Sequence, residues 1–303
     1  MANTFLTPDI IAKQALATLY ETTVMKPLIH TDLTAEFSSA KVGDTINVRK
    51  PATFTAQDFN RATGIQLQEA NEGSIAVKLD QFKDVSFSVT DEDLALEIED
   101  FDTQLLTPAM EALAVAVDST ILSLRDDILQ EVGLDTGFEY TVPESLIDAG
   151  RVLDTNLLPP SGRYAVIGPA AKAHWLNTPL LKQAEQSGTT EALRRASLGR
   201  DLFGFSTYMT NNIKPAAASP AVGEPTTEVG LAFHDSAFAF ASAPLPVNPG
   251  AVAHVETFKG ISLRVSMQHD IRYKQTVVSV DLLFGVKTLD PNRAVLIKGA
   301  DKA

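Results

Sequence analysis

Residues 106–128 read LTPAMEALAVAVDSTILSLRDDI, and the spacing of their apolar members sets the frame for the whole chain. Leu106, Met110, Leu113, Val117, Ile121, Leu124 and Ile128 follow at intervals of four, three, four, four, three and four, the repeat that lines side chains along one face of an α-helix. Thr107 and Pro108 fit a cap and first turn, and Gly133 fits a stop. The stretch predicts a helix of about 24 residues and about 36 Å, enough to cross most of a domain of this size. A second line, Ala109, Ala112, Ala116 and Ser123, is small and predicts close approach by a sheet or another helix. Glu111, Asp118 and Arg125 are predicted to form a solvated outer face.

Upstream the period changes to two. Ile46, Val48 and Phe54 alternate with polar residues, and Ile75, Val77, Leu79, Val85, Phe87 and Val89 share one parity, so two long strands are predicted. Between them residues 55–73 are polar and contain Gly64 and Gly73, which reads as the mobile tip of a long hairpin. Gln81 and Lys83 fall on the otherwise apolar parity. A projecting arm that packs on another subunit accounts for that, and so does a locally exposed stretch of an ordinary hairpin. Before the hairpin, Thr7, Pro8 and the run Ile11, Ala15, Leu16, Leu19, Tyr20 predict a helix, followed over 28–42 by an extended segment without clear period.

Downstream, residues 141–254 alternate helix and strand. Helices are predicted from Pro143, over 170–176 and over 191–197, with strands at 163–167 and 205–209 and a loop rich in Ala, Pro, Gly and Thr at 214–228. The tail returns to strands: Ile261, Leu263, Val265, Met267; then Val278, Val280, Leu282, Phe284, Val286; then Val295 and Ile297. Three such runs predict a meander with one face under the long helix.

Composition excludes several classes. At 303 residues with 45% hydrophobic and 21% charged side chains, the chain can bury a substantial core. No apolar run reaches the ~20 residues of a membrane span, and MANTFLTPDI lacks the basic flank and apolar core of a signal peptide, so a soluble cytoplasmic product without membrane contact is expected. The absence of cysteine removes disulfides, thiolate nucleophiles and Cys-ligated zinc. A formal charge of -13 opposes gripping a phosphate backbone, so nucleic acid would be enclosed and not read.

Motifs for chemistry are missing. The histidines, His30, His174, His234, His254 and His269, form no HExxH or HxH pattern. No GxSxG, GxGxxG or GxxxxGK[ST] segment occurs, and 199–204 (GRDLFG) reads as a turn. The pairs Asp91/Asp93 and Asp126/Asp127 fit solvated ends better than a cation site or an acid–base pair, and lone Trp175 fits a core position. No catalytic, cofactor-binding or metal-ligating residue is therefore assigned.

The order of elements resembles the HK97-like capsid fold, and the wording is similar to the P22 coat protein family of tailed bacteriophages. The segments that carry the likeness are 41–51 (KVGDTINVRKP), 85–96 (VSFSVTDEDLAL), 108–122 (PAMEALAVAVDSTIL, with Asp118), 151–156, 163–169 (RYAVIGP) and 260–285. The resemblance implies an α+β HK97-like fold. Its parts would be an N-terminal arm at 1–42 and an extended β-hairpin, the E-loop, at 43–92. A peripheral domain at 93–135 and 255–303 would carry the long spine helix and C-terminal strands, and an axial α/β domain would occupy 136–254. It implies a non-enzymatic major capsid protein without cofactors, assembled in the host cytoplasm as pentamers and hexamers into an icosahedral virion shell around dsDNA. The hairpin would lie over a neighbour, with Arg49, Phe54, Phe59, Arg61, Ile65, Leu67, Lys78 and Phe82 as the expected assembly contacts. A separate scaffolding protein and a portal protein are implied partners, and a decoration protein is a further one the resemblance allows. Lys50, Lys78 and Lys83 lie away from the hairpin tip, so crosslinking through them is not expected. An encapsulin-like compartment shares this fold, and a soluble α/β enzyme is the reading from another class.

Overall fold

A computed structural model describes residues 8–31, 45–50, 73–90, 102–182, 201–247 and 252–302, with Glu92 and single positions between 56 and 67. The first elements are α1 (Pro8–Thr22), β1 (Thr45–Lys50), β2 (Gly73–Lys78), β3 (Gln81–Thr90), α2 (Thr107–Leu122) and β4 (Glu131–Val132). The middle of the chain forms α3 (Ser145–Thr155), β5 (Arg163–Ile167), α4 (Pro169–Leu176), α5 (Pro179–Lys182), β6 (Asp201–Leu202) and β7 (Phe205–Met209). Last come β8 (Gly230–His234), β9 (Phe238–Ser242), β10 (Val252–Phe258), β11 (Ile261–Asp270), β12 (Gln275–Thr288) and β13 (Ala294–Ile297).

The long helix is present and extends N-terminally beyond α2. A π-turn at Asp102–Leu106 precedes α2 and a 3-10 turn at Ser123–Asp127 follows it in one continuous helical run, of which Gln104–Asp127 accounts for 24 residues. By length and composition this run is apolar enough to cross a bilayer, an outcome the count of uninterrupted apolar residues did not anticipate. Here Leu106, Met110, Leu113, Val117 and Ile121 are buried in the protein's main core. They pack with Ile11, Ala12, Ala15, Leu16 and Leu19 of α1 and with Leu263, Val265, Val278, Val280 and Leu282 of the sheet.

Two expectations about this helix are corrected. Ala112 of the small line is exposed, because the buried arc is centred on the large residues. Asp118 is buried, not solvated. Its Oδ2 accepts the Val24 N–H at 2.8 Å and its Oδ1 the Met25 N–H at 3.1 Å. These amides lead into the 3-10 turn Lys26–Leu28, which has no side-chain cap of its own, so a carboxylate more than ninety residues away does the work of an N-cap. Leu28 and Ile29 are buried, and the His30 carbonyl accepts the Phe240 N–H at 2.9 Å. The start of the segment read as an extended arm is therefore packed on the body. Thr7, residues 32–42 and the helix expected at 191–197 lie outside the described residues.

The main sheet runs β10-β11-β12-β3, with β9 also paired to β12, all antiparallel. Phe284 has ladder partners in both β3 and β9, so these flank β12 on opposite edges. The second sheet runs β4-β13-β8-β5-β7-β6, with β5–β7 and β4–β13 parallel. Its core holds Leu146, Ala149 and Leu153 of α3, Ala171 and Trp175 of α4, and Val295 and Ile297 of β13. The Trp175 indole N–H donates to the Tyr140 carbonyl at 2.9 Å.

Of the three runs expected to form the tail meander, only β11 and β12 belong to it; its third strand is β10, which the sequence did not predict. The turn Pro291–Arg293, capped by the Asp290 side chain on the Asn292 N–H, sends β13 into the second sheet between β4 and β8. The sequence reading missed β8 and β9, which are buried at every position and so show no alternation. The loop expected over 214–228 is a loop, mostly exposed, and it is tied to the C-terminus by Gly223 N–H to Lys302 O at 2.9 Å.

Candidate assembly surface

Strands β1 and β2 pair antiparallel from Thr45↔Lys78 to Lys50↔Gly73 and form a sheet of their own. Val77 and Leu79 at the base are buried against Ala239 and Ala241 of β9, with Val48, Leu283 and Leu289 packed around them. The close approach requires Gly285 on β12: a Cβ there would fall inside contact distance of the Lys78 carbonyl oxygen and the Leu79 Cα. A side chain at 285 would lift the arm off the sheet, and no other residue type fits without moving backbone.

The returning limb of the hairpin splits in two. Residues 73–78 belong to the arm, whereas β3 pairs with β12 from Gln275↔Thr90 to Phe284↔Gln81. Val85 and Phe87 pack against the main core and Val89 is buried. Gln81 and Lys83 share that inward parity and are half-buried where the sheet meets the arm. The expectation that a neighbour covers the apolar side chains of the hairpin is thus wrong for Val77, Leu79, Val85, Phe87 and Val89, which the chain covers itself.

The outer arm is different. Phe59 is 68% exposed, Ile65 81%, Leu67 94% and, on the outward face of β3, Phe82 54%. Large apolar side chains are costly to leave in water, at about 25 cal/mol per Å², and contiguous exposed apolar patches in general mark interaction surfaces. Arg61 is exposed, and so is Lys78 at the base of the arm, where it has further polar interactions. Arg49 is on β1, opposite Ser74. Phe54 lies outside the described residues.

Other polar groups are occupied structurally. Arg264 donates to Asp281 Oδ2 through Nε at 2.9 Å and Nη2 at 2.5 Å, while Ser279 Oγ bridges Asp281 Oδ1 and Asp84 Oδ1 at 2.9 and 2.8 Å. Against partial desolvation, hydrogen bonds from the Ser86 and Ser279 hydroxyls hold the Asp84 carboxyl below its ordinary range. Burial, opposed by its backbone donors, raises the Asp118 carboxyl to about 6. Burial and nearby Lys259 lower Lys26 to about 8. Glu228, buried, accepts from the Ala170 and Ala171 N–H groups at the start of α4, at 3.0 and 3.3 Å.

His234, Asp235 and Ser236 cluster, but Ser236 Oγ at 2.7 Å and Asp235 Oδ1 at 2.8 Å both meet the same ring nitrogen, Nδ1. A catalytic relay uses opposite nitrogens, so this is a local turn contact. Among the described residues one histidine–carboxylate group, Asp9, His254 and Glu256, has the spacing to hold a metal ion. Sequence reasoning missed it because Asp9 is remote in the chain and His-x-Glu on a strand is a weak signal. It missed Gly285 because a glycine within a strand does not say what approaches it.

No known family profile matches the sequence, and no curated protein does. Solved structures do match. A structure from Mycobacterium phage Che8 superposes at a TM-score of 0.68 with 19% identity over 90% of both chains. The capsid structure of the cyanophage P-SCSP1u superposes at 0.59 with 16% identity, over 92% of this chain and 89% of that one. A virus-like particle from Pyrococcus furiosus superposes at 0.53 with 12% identity, over 94% of this chain and 97% of that one. At these identities the likeness is one of fold: the mixed helix and sheet architecture is that of phage capsid chains.

Proposed function

We propose that the chain is the major capsid protein of a tailed bacteriophage, an HK97-fold coat subunit that assembles into an icosahedral shell around dsDNA. The observation that carries this reading is the full-length fold likeness to phage shell structures, joined to the exposure of Phe59, Ile65 and Leu67 between β1 and β2. In this reading β1, β2 and the intervening residues are the E-loop, Gln104–Asp127 is the spine helix, and the β10–β12 sheet is the peripheral domain. The unit built on Trp175 is the axial domain that surrounds the five-fold and six-fold axes. Phe59, Ile65, Leu67 and Phe82 dock on a neighbouring subunit, with Arg61 and Lys78 as further contacts. A stable contact of this kind buries more than about 1,000 Å², apolar at its centre. Heterologous contacts that close by rotation suit a shell serving both pentamers and hexamers. The acidic balance suits enclosing DNA without gripping it, and separate scaffolding and portal proteins are the expected assembly partners.

An encapsulin-like compartment is the second reading, favoured by the Pyrococcus furiosus particle. The higher TM-scores and identities of the phage structures rank it lower. Electron microscopy of the chain expressed with the scaffolding protein encoded beside it tests the proposal. Closed shells of megadalton mass are expected. A chain that stays a monomer or small oligomer under those conditions refutes it, and shells filled with a cargo enzyme point to the second reading.

A further inference from the structure

We infer that Asp9, His254 and Glu256 form a site for a divalent transition metal of the zinc type, which clamps helix α1 to the edge strand β10. His254 and Glu256 are two residues apart on β10, so both side chains leave the same face of the strand. Asp9 comes from the first turn of α1, the helix packed against that strand. Glu256 Oε2 lies 3.2 Å and Asp9 Oδ1 3.1 Å from one atom, His254 Nε2.

That convergence is chemically lopsided without a metal. A ring nitrogen carries one hydrogen at most, so Nε2 serves one of the two carboxylate oxygens and the other is left facing it. A metal held by all three atoms resolves the conflict. With metal–ligand bonds of about 2.0–2.2 Å, neighbouring ligand atoms of a tetrahedral site stand about 3.4 Å apart. The observed 3.1 and 3.2 Å are close to that edge, and the three ligand atoms all lie within 4.8 Å of one another. Lys13 Nζ holds the second Asp9 oxygen at 3.1 Å, which orients the carboxylate and offsets part of its charge. All three ligands are half-buried, so a water can complete the fourth position. One imidazole and two carboxylates select zinc, cobalt or nickel over magnesium and calcium, which prefer all-oxygen shells.

The inference rests on this geometry and not on the capsid reading. The test is titration of the purified full-length chain with ZnCl2 or CoCl2 at pH 7.5, by calorimetry and by the visible absorption of bound cobalt. MgCl2 is the control, and thermal unfolding is followed in parallel. One equivalent per chain is expected, with a raised unfolding midpoint under zinc and none under magnesium. His254→Ala should abolish the binding, and Asp9→Asn and Glu256→Gln should each weaken it at least about tenfold. All three positions are partly exposed, and circular dichroism of each variant establishes that it is folded. Zinc uptake that is absent in the wild type, or unchanged in His254→Ala, overturns the inference.

Discussion

Replacing Asp118 should change how stability responds to pH, because the carboxylate is buried in the joint between α1 and the long helix. Burial raises its folded-state pKa from 3.8 to about 6. Between those values the folded protein binds more protons than the unfolded chain, so the Asp118 contribution to stability falls as pH rises through that window. Above it, ionised Asp118 costs about 3 kcal/mol, of which about 1.4 kcal/mol develops between pH 5 and pH 8. Asp118→Asn removes the titration and keeps one acceptor oxygen, while its amide opposes one of the two backbone N–H donors, a loss of about 1–3 kcal/mol. Asp118→Ala strands both donors and should cost about 2–6 kcal/mol. Urea unfolding of the unassembled subunit at pH 5, 6, 7 and 8 measures this. The difference in unfolding free energy, wild type minus Asp118→Asn, should fall by about 1.4 kcal/mol across the series. A constant difference refutes the argument, for it would mean that Asp118 titrates alike in both states.

Three further outcomes are expected. Gly285→Val should destabilise the subunit by about 1–3 kcal/mol, through overpacking against the Lys78 carbonyl; it should also misplace the arm, read by thermal unfolding and by the fraction of chains in closed shells. Ile65→Asp with Leu67→Asp should leave subunit unfolding within about 0.5 kcal/mol of wild type, since both side chains are exposed, yet abolish regular shells in electron micrographs; normal shells would count against the arm as an assembly contact. Trp175→Ala should cost about 3–5 kcal/mol in chemical denaturation, because it empties the centre of the second core and orphans the Tyr140 carbonyl.

The apolar spacing of residues 106–128 and the alternation within 73–90 and 261–286 were enough to place the long helix and most strands of the main sheet, because those elements bury one face and leave a periodic trace. The absence of cysteine likewise excluded disulfides and thiolate nucleophiles from the sequence alone. Where both faces are buried, as in β8 and β9, no trace survives, and those strands became visible only in the folded chain. Tertiary structure alone decided that β3 joins the body while β1 and β2 leave it, since parity is the same on either side of Leu79 and only the partner strand differs. It also decided the fates of Asp118, Gly285 and His254. A polar residue on a helix, a glycine in a strand and a lone histidine take their meaning from atoms far away in the chain, and local pattern carries no information about those atoms.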